Sequence, residues 1–301
     1  MKIGVLGLGT MGTPMAHNLL KSGFDLVVHN RTREREEALA AVGAKRAASP
    51  KELAKICDAV LICVSDTPDL EEVVLDAERG LLAGIADGGL IIDCSTVAPD
   101  ATRRLAATCA KRQIAFVDAP VSGGSEGAQN ATLAIMCGGS ETDFERARPV
   151  LEAVGTTITH VGPSGAGQVA KAVNQVVISG TYQAVAEGMV LAHKLGVDPE
   201  RVVEAIGGGA AASWVLQQRA GNMIDNQYPL GFRVSLHRKD LRIALDAAAD
   251  TGVELPVASQ MATSEDELID AGFGDEDLSA IARLVRNAAG LSDGKLDGGR
   301  R

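Results

Sequence analysis

Two side chains that could move a proton and orient a small polar substrate lie three residues apart near the middle of the chain. Lys171 and Asn174 fall at the start of a long apolar run with helical spacing, and residues three apart share one face of a helix. A neutral amine can accept a proton, and an amide can both donate and accept hydrogen bonds. Taken alone, the pair is better explained by a solvated lysine and an exposed asparagine on an ordinary helix.

The elements around this pair indicate where it lies. The preceding stretch, Gly162-Pro163-Ser164-Gly165-Ala166-Gly167, is too rich in glycine to form a stable helix. After it the apolar spacing continues through Gly180 until Gly196 with no proline between, so a helix is predicted over about residues 165–195. We expect this helix to begin in a loop between two domains and to form the centre of the second domain. Lys171 would then lie at the mouth of an interdomain cleft.

Length and patterning predict a division into two domains. A chain of 301 residues exceeds one typical core. Alternating strands and helices end near residue 163, and helical segments follow, so we predict a dinucleotide-binding domain over 1–163 and an all-helical substrate and oligomerisation domain over 164–289. Residues 290–301 have no apolar face and are expected to be disordered.

Composition narrows the class of protein. Lys and Arg number 29 against 39 Asp and Glu, a net charge of −10, which argues against nucleic-acid and anionic-membrane binding. No apolar run is long enough for a membrane span, and the N-terminus does not have a signal-peptide pattern. The five cysteines are odd in number and include no C-x-x-C. We therefore expect a cytoplasmic protein with reduced thiols and no metal site.

The N-terminus carries the pattern of a dinucleotide site. A predicted strand at residues 2–6 runs into Gly7-Leu8-Gly9-Thr10-Met11-Gly12, and a helical pattern follows at once. The first glycine of G-x-G-x-x-G permits a tight turn, the second lets a pyrophosphate approach the backbone, and the third lets helix and strand pack closely. The pyrophosphate is then held at a helix N-terminus.

The end of the second predicted strand bears on the choice between NAD and NADP. An NAD-specific fold has an acidic residue there for the ribose 2′-hydroxyl. This chain has Asn30-Arg31-Thr32-Arg33 instead, and an arginine can pair with a 2′-phosphate. We predict that NADP(H) is preferred and that NAD(H) is possible; ordinary surface arginines are the other explanation.

Further strands alternate with helices up to about residue 161, so the N-terminal region is predicted to be a parallel doubly wound sheet. Ligands bind such sheets at the carboxyl ends of the strands. Val64-Ser65, Thr96 and Asp118-Ala119-Pro120-Val121-Ser122-Gly123-Gly124 all follow predicted strands. The small residues Ser122, Gly123 and Gly124 would let a carboxylate approach backbone N–H groups, or they form a plain turn.

Four motifs in order now resemble one family along nearly the whole chain, the β-hydroxyacid dehydrogenases of the 3-hydroxyisobutyrate dehydrogenase and tartronate semialdehyde reductase type. They are Gly7 to Gly12, Asp118 to Gly124, Gly162 to Gln175, and Gly231-Phe232-Arg233 through Leu236-His237-Arg238-Lys239-Asp240-Leu241. The Lys-Ala-Val-Asn-Gln spelling is similar to the tartronate semialdehyde reductase type. The chain departs at Cys63-Val64-Ser65-Asp66, where family members often have Met-Leu-Pro.

The resemblance implies a fold and a set of roles. The fold is an α/β N-terminal Rossmann-type dinucleotide-binding domain, a long interdomain helix and an all-α C-terminal domain that supports a homodimer or homotetramer. Lys171 would be catalytic, and Ser122, Gly123, Gly124 and Asn174 would bind the substrate. Lys239 would contact both substrate and nicotinamide, or it forms a surface pair with Asp240. The sole tryptophan, Trp214, is expected in the helical core.

These residues fit NADP(H)-dependent interconversion of a small 3-hydroxy carboxylic acid and its semialdehyde, of the tartronate semialdehyde, 3-hydroxyisobutyrate, succinic semialdehyde or glyoxylate class. A hydride leaves a carbinol carbon only as the hydroxyl proton leaves, and a desolvated lysine can accept that proton. Two alternatives stay open: an imine reductase-like enzyme and a non-catalytic dinucleotide-binding scaffold. Relatives of both kinds usually lack the lysine.

Overall fold

Buried strands alternate with helices over the first half of the chain in the computed structural model, which describes residues 1–291 and 294–298. They form a nine-stranded sheet within a first unit, Met1–Lys171. The strands are β1 Lys2–Leu6, β2 Asp25–His29, β3 Lys45–Arg46, β4 Ala59–Ile62, β5 Leu90–Asp93, β6 Ala115–Asp118, β7 Val121–Ser122, β8 Leu133–Gly138 and β9 Gly155–Gly162. The helices are α1 Gly12–Lys21, α2 Glu37–Ala41, α3 Pro50–Ala54, α4 Thr67–Leu75, α5 Pro99–Ala110, α6 Gly124–Asn130 and α7 Glu141–Leu151, with short 3₁₀ turns at Arg33–Glu36 and Leu81–Ala83.

The strand order is β3-β2-β1-β4-β5-β6-β8-β7, and β9 pairs with β8. Pairing is parallel from β3 to β6, which confirms the predicted Rossmann-type arrangement. The prediction of a wholly parallel sheet is wrong at β8, which runs antiparallel to β6 and β7. Only residues 123–132 connect β7 to β8, and a parallel crossover needs about a dozen or more.

The sheet is covered on both faces, as parallel sheets are. Strands β4, β5 and β6 are buried at every position. Neighbouring residues of β5 pack into different cores: Ile92 joins the cluster around Met15 and Leu19, and Ile91 joins the cluster around Leu53 and Val74. This covering fixes the strand ends at which the predicted site residues lie.

The second unit begins at Ala172, and every named element in its described part is helical, as predicted. Val234, Leu241, Met261 and Ile281 are among the side chains of its core. Its helices are the greater part of α8 Ala166–Lys194, then α9 Pro199–Ile206, α10 Trp214–Asp225, α11 Val234–Ala249, α12 Pro256–Asp270 and α13 Ala282–Ala288, with a 3₁₀ turn at Leu278–Ile281. None of the helices described has the length and apolar character that crossing a membrane requires.

The C-terminal segment differs from the predicted disorder over residues 290–301. Leu296 is 2% exposed, and its N–H donates to the Ile224 carbonyl at 2.8 Å. The neighbouring Lys295 amine lies 2.5 Å from Glu200 Oε1 and 3.2 Å from Asp225 Oδ1. A single leucine anchors this segment, so no periodic apolar face announces it. Residues 292, 293 and 299–301 lie outside the described part of the chain.

The start of α8 is fixed by a carboxylate from the sheet. Asp118, the last residue of β6, is fully buried. Its Oδ1 accepts from the Gly165 N–H at 2.8 Å and its Oδ2 from the Gln168 N–H at 3.0 Å. Gln168 lies in the first turn of α8 and Gly165 directly precedes it, and N–H groups at this end of a helix have no intrahelical acceptor. The bonds tie residues 165–168 to β6, and the first unit accordingly extends to Lys171 rather than ending after residue 163.

The ionisation of Asp118 gives a pH-dependent prediction. Burial raises the pKa of this carboxyl above its ordinary value, although backbone hydrogen bonds, chiefly from Gly165 and Gln168, partly lower it. The folded protein therefore holds the proton more tightly than the unfolded chain. The stability from this group is fully present below the unfolded pKa of about 4 and is lost as the pH rises through the folded pKa.

We expect the unfolding free energy of the wild type to gain on that of Asp118→Asn as the pH falls from about 7 towards about 4, because asparagine does not titrate. Denaturant unfolding at a series of pH values measures this difference. Replacing the exposed Asp87 (side chain 70% exposed) by asparagine is the matched control and should give a flat difference. A flat difference for Asp118→Asn would contradict the assignment.

Candidate active site

The glycine-rich turn after β1 is shaped by close backbone contacts at two glycines and by open space at a third. A Cβ on Gly7, whose φ is +94°, would lie 2.2 Å from the Cys63 carbonyl oxygen, and a Cβ on Gly12 would lie 1.9 Å from the Gly7 oxygen. A Cβ on Gly9 would meet nothing within 4 Å. Gly7 and Gly12 thus close the turn, while Gly9 leaves its outer side open to a pyrophosphate.

Leu8 is a buried residue of the glycine-rich turn and helps to hold it in place. Its side chain is 2% exposed, and its N–H donates to Asn30 Oδ1 at 2.8 Å. The Asn30 N–H in turn donates to Glu36 Oε1 at 2.8 Å. Of the predicted cofactor residues, Leu8 and Asn30 therefore hold the turn against the end of β2. Thr10 is exposed and Met11 half-buried at the N-terminus of α1, where an anion is favoured.

The segment after β2 contains a buried carboxylate that sequence reasoning missed. Glu36 is fully buried, 2.7 Å from Arg33 Nη1 and 2.6 Å from Arg46 Nε. It lies beyond the strand end at which the fingerprint places an acid, so no pattern pointed to it. Arg33 is thereby committed to Glu36. Arg31 remains 86% exposed, with Asp69 Oδ1 at 3.3 Å, and Thr32 is exposed beside it.

The ends of β4 and β5 are joined to the start of α8 by one glutamine. Val64 donates its N–H to Ser95 Oγ at 2.9 Å. Gln168 Nε2 donates to the Ser95 carbonyl at 2.8 Å, and its Oε1 accepts from the Val97 N–H at 3.1 Å.

Two further predicted cofactor residues, the exposed Ser65 and the half-buried Thr96, lie beside these contacts. Gln168 was missed because its partners are about seventy residues away in sequence and leave no local pattern.

The turn predicted to bind a carboxylate follows β7. Gly123 has φ +131° and Gly124 has φ +65°, and successive positive values are readily adopted only by glycine. Ser122 is half-buried just before them. The structure places all three at the same turn, and a side chain at either glycine would be strained.

Lys171 is buried, with 6% exposure, and it follows the first turn of α8 that Asp118 holds. This rules out the solvated lysine considered above. Asn174, one turn further along, is half-buried and donates from Nδ2 to Gln175 Oε1 at 2.7 Å. Lys239 is not a surface residue either: its side chain is 15% exposed and its amine lies 2.7 Å from Asp240 Oδ1.

The structure also bears on the expectations for Trp214 and for the five cysteines. Trp214 is 45% exposed and stacks on Arg219, with the guanidinium carbon 4.6 Å from the ring centroid, so its placement in the core is wrong. The five cysteines are free, and burial raises the pKa of Cys57 and of Cys137 to about 12. Among residues 1–291 and 294–298 no cluster of three metal-ligating side chains occurs.

The parallel strands β3 to β6 with an open glycine turn after β1 define a dinucleotide-binding domain. Two family models match the chain. One, the NAD-binding domain of 6-phosphogluconate dehydrogenase, covers residues 2–162, and the other, described as the NAD-binding of NADP-dependent 3-hydroxyisobutyrate dehydrogenase, covers residues 165–285. The chain therefore belongs to the 3-hydroxyisobutyrate dehydrogenase family, whose named members are NAD(P)-binding dehydrogenases that act on hydroxyl donors.

Relatives with specific enzyme names align over most of their length. The chain is 40% identical to 2-hydroxy-3-oxopropionate reductase of Escherichia coli over 256 residues, 85% of this chain and 87% of that one. It is 36% identical to NAD-dependent L-serine dehydrogenase of Pseudomonas aeruginosa over 290 residues, 94% and 97% of the two chains. The structure of Mycobacterium tuberculosis 3-hydroxyisobutyrate dehydrogenase with L-serine superposes with a TM-score of 0.84 at 33% identity, covering 95% and 99%.

The open space at Gly9 gives a prediction about the cofactor. Gly9→Ala should fold with an unfolding free energy within about 0.5 kcal/mol of the wild type, because its Cβ meets no atom. It should nevertheless bind the cofactor at least about tenfold more weakly, because the methyl group occupies the approach to the backbone. Fluorescence titration with NADPH and denaturant unfolding measure the two quantities.

Gly221→Ala is the matched control, since that helical glycine also has open space for a Cβ. It should gain about 0.5–1 kcal/mol of stability and keep cofactor affinity. Unchanged affinity in Gly9→Ala would show that the turn does not hold a pyrophosphate.

Proposed function

We propose that the protein interconverts a small 3-hydroxy carboxylic acid and its semialdehyde with NADP(H), using Lys171 as the general acid and base. The observation that carries the proposal is the burial of Lys171 directly after a helix start fixed by Asp118. The relative named 2-hydroxy-3-oxopropionate reductase supports tartronate semialdehyde as the first substrate to test. The 3-hydroxyisobutyrate, succinic semialdehyde and glyoxylate classes are the others.

The residues after β1 and β2 fit a bound dinucleotide. Gly9 leaves open space at the turn, and the N-terminus of α1 favours an anion there. Arg31 and Thr32 are exposed where a 2′-phosphate would be recognised. Val64, Ser65 and Thr96 lie at neighbouring strand ends and would hold the nicotinamide half. When bound, the nicotinamide supplies the hydride for reduction or accepts it for oxidation.

The chain itself handles the proton. The neutral amine of Lys171 would accept the hydroxyl proton during oxidation. In reduction the protonated amine returns that proton to the carbonyl oxygen, by the same path in reverse. Holding the helix start against β6 limits the movement of the amine, which proton transfer at hydrogen-bond distance requires.

The turn Ser122-Gly123-Gly124 would bind the substrate carboxylate, because its glycines let backbone N–H groups approach an anion. Asn174 and Lys239 would bind the remaining polar groups of the substrate, with Lys239 also contacting the nicotinamide. Both have their polar atoms engaged by neighbouring side chains, which orients them.

Two other functions would use the same fold. An imine reductase-like enzyme would reduce C=N bonds, and a scaffold would bind the dinucleotide without turnover. Lys171 disfavours both, because relatives of both kinds usually lack this lysine. Turnover of a semialdehyde but not of a cyclic imine would separate the three.

The cofactor preference predicts a difference between two neighbouring arginines. The wild type should use NADPH at least about tenfold more efficiently than NADH, since a charge-assisted pair contributes about 1.5–3 kcal/mol. Arg31→Ala should remove most of this preference, whereas Arg35→Ala, at another exposed position, should keep it. Steady-state kcat/KM with both cofactors measures the effect. Equal use of the two cofactors by the wild type would refute the preference.

The carboxylate requirement is tested by substrate choice. Propanal should be a poor substrate beside succinic or tartronic semialdehyde, because donors of the turn after β7 would lose their anionic partner. Rates are followed by the absorbance of the reduced nicotinamide. Equal rates for propanal and the semialdehydes would remove the assignment of Ser122, Gly123 and Gly124.

Replacement of Lys171 should abolish chemistry and spare cofactor binding. Lys171→Ala keeps a good helix former and should lower turnover by a factor of about 10² to 10⁴. Lys171→Arg should fail nearly as badly, because arginine stays charged and cannot accept the proton. Lys194→Ala, an exposed lysine of the same helix, is the control. If Lys171→Ala binds NADPH and keeps more than about a tenth of wild-type turnover, the base is another group.

A further inference from the structure

Two of the residues assigned to substrate binding, Asn174 and Lys239, are joined through a short chain of hydrogen bonds within the second unit. Asn174 Nδ2 donates to Gln175 Oε1 at 2.7 Å. Gln175 Nε2 donates to Asp240 Oδ2 at 2.6 Å. The other oxygen, Asp240 Oδ1, lies 2.7 Å from the Lys239 amine. The bond between Gln175 and Asp240 joins α8 to α11, while the Asn174–Gln175 and Lys239–Asp240 contacts each lie on one helix.

The middle of this chain is the most deeply buried part. Gln175 is 0% and Asp240 4% exposed. The backbone carbonyl oxygen of Gln175 also lies 3.4 Å from His237 Nε2. His237 Nδ1 in turn hydrogen-bonds Glu265 of α12. Gln175 is thus held by α11 through its backbone and through its side chain, and His237 connects it further to α12.

The chemistry of the link requires a side chain at position 175 that both donates and accepts a hydrogen bond. The side-chain oxygen of Gln175 accepts a hydrogen bond from Asn174, and its side-chain NH₂ group donates one to the Asp240 carboxylate. Only a side chain with both a donor and an acceptor can make these two bonds. A hydrocarbon of the same size would leave buried polar atoms without these bonds, and buried unsatisfied groups are costly. A carboxylate would accept from Asn174 but would repel Asp240.

We propose that Gln175 is a positioning residue that couples Asn174 to Lys239 through Asp240 and so sets how the second unit holds the hydroxyacid. This inference rests on the proposed function. It makes Gln175 and Asp240 determinants of substrate affinity although neither need touch the substrate. Loss of the link should loosen the position of Asn174 and, through Asp240, that of Lys239.

The test compares Gln175→Met with Gln175→Glu. Methionine keeps the volume and removes both bonds, so KM for the semialdehyde should rise roughly tenfold to a hundredfold, the range for losing a hydrogen bond to a charged group. Turnover at saturation should change less. NADPH affinity, measured by titration in the absence of substrate, and the melting temperature report whether the fold persists.

Gln175→Glu supplies a pH readout that a purely structural residue would not give. When protonated, the introduced carboxyl has one donor and one acceptor and can replace the amide. When ionised, it faces the Asp240 carboxylate. Burial and the Asp240 carboxylate raise the pKa of the introduced carboxyl. The charges of Lys239, His237 and Glu265 lie close enough to affect this pKa as well. The ratio of the KM of Gln175→Glu to the wild-type KM is measured at each pH. This ratio should be near one at low pH, and as the pH rises it should approach the corresponding ratio for Gln175→Met.

The control is Ser179→Ala, which changes a buried polar side chain four residues further along α8 whose hydroxyl bonds only locally to the Val176 carbonyl. Its KM should match the wild type. A KM ratio for Gln175→Glu that does not vary with pH, or a wild-type KM in Gln175→Met, would overturn the coupling. If the wild type reduces no carboxylate-bearing semialdehyde, the proposed function fails instead, and the inference fails with it.

Discussion

The buried carboxylate of Asp118 is the contact on which the arrangement of the first unit's reactive residues depends. It lies at the end of β6 and accepts the N–H groups of Gly165 and Gln168. A Cβ at Gly138 would lie 2.5 Å from Asp118 Oδ1. A Cβ at Gly167 would lie 2.3 Å from the Met136 carbonyl oxygen and 2.8 Å from Asp118 Oδ2, so this glycine lets the helix start approach both the backbone of β8 and the carboxylate.

Two opposing contributions to the free energy act on the buried Asp118 carboxylate. Burying a carboxylate is costly, and burial raises the pKa of Asp118. Against that cost stand hydrogen bonds from a helix N-terminus, whose dipole favours an anion. Gln168 adds bonds to the end of β5 from the same turn. The helix start is consequently tied to two neighbouring strands, and Lys171 inherits this fixed position.

Much of this could be predicted from the sequence because the signals are local. The strand before Gly7, the G-x-G-x-x-G turn and the long helix α8 each follow from a periodic or glycine pattern within a few residues. The side-chain partners could not be predicted. Glu36 with Arg46, Gln168 with Ser95, and Gln175 with Asp240 join residues distant in sequence, and a single polar residue carries no period. The direction of β8 follows from the short connection after β7, and Leu296 is a single buried apolar residue without a periodic pattern around it.

The central claim, hydride transfer to the carbonyl carbon of a carboxylate-bearing semialdehyde, is tested most directly by isotope transfer. The protein is incubated with tartronate semialdehyde and NADPH deuterated at the transferable ring position, and the product acid is examined by mass spectrometry. The predicted result is one deuterium for each NADPH consumed, on the carbon of the product acid that was the aldehyde carbon of the substrate. Cofactor oxidation that yields an undeuterated hydroxyacid, or no reduction of this and the other candidate semialdehydes, would contradict the account.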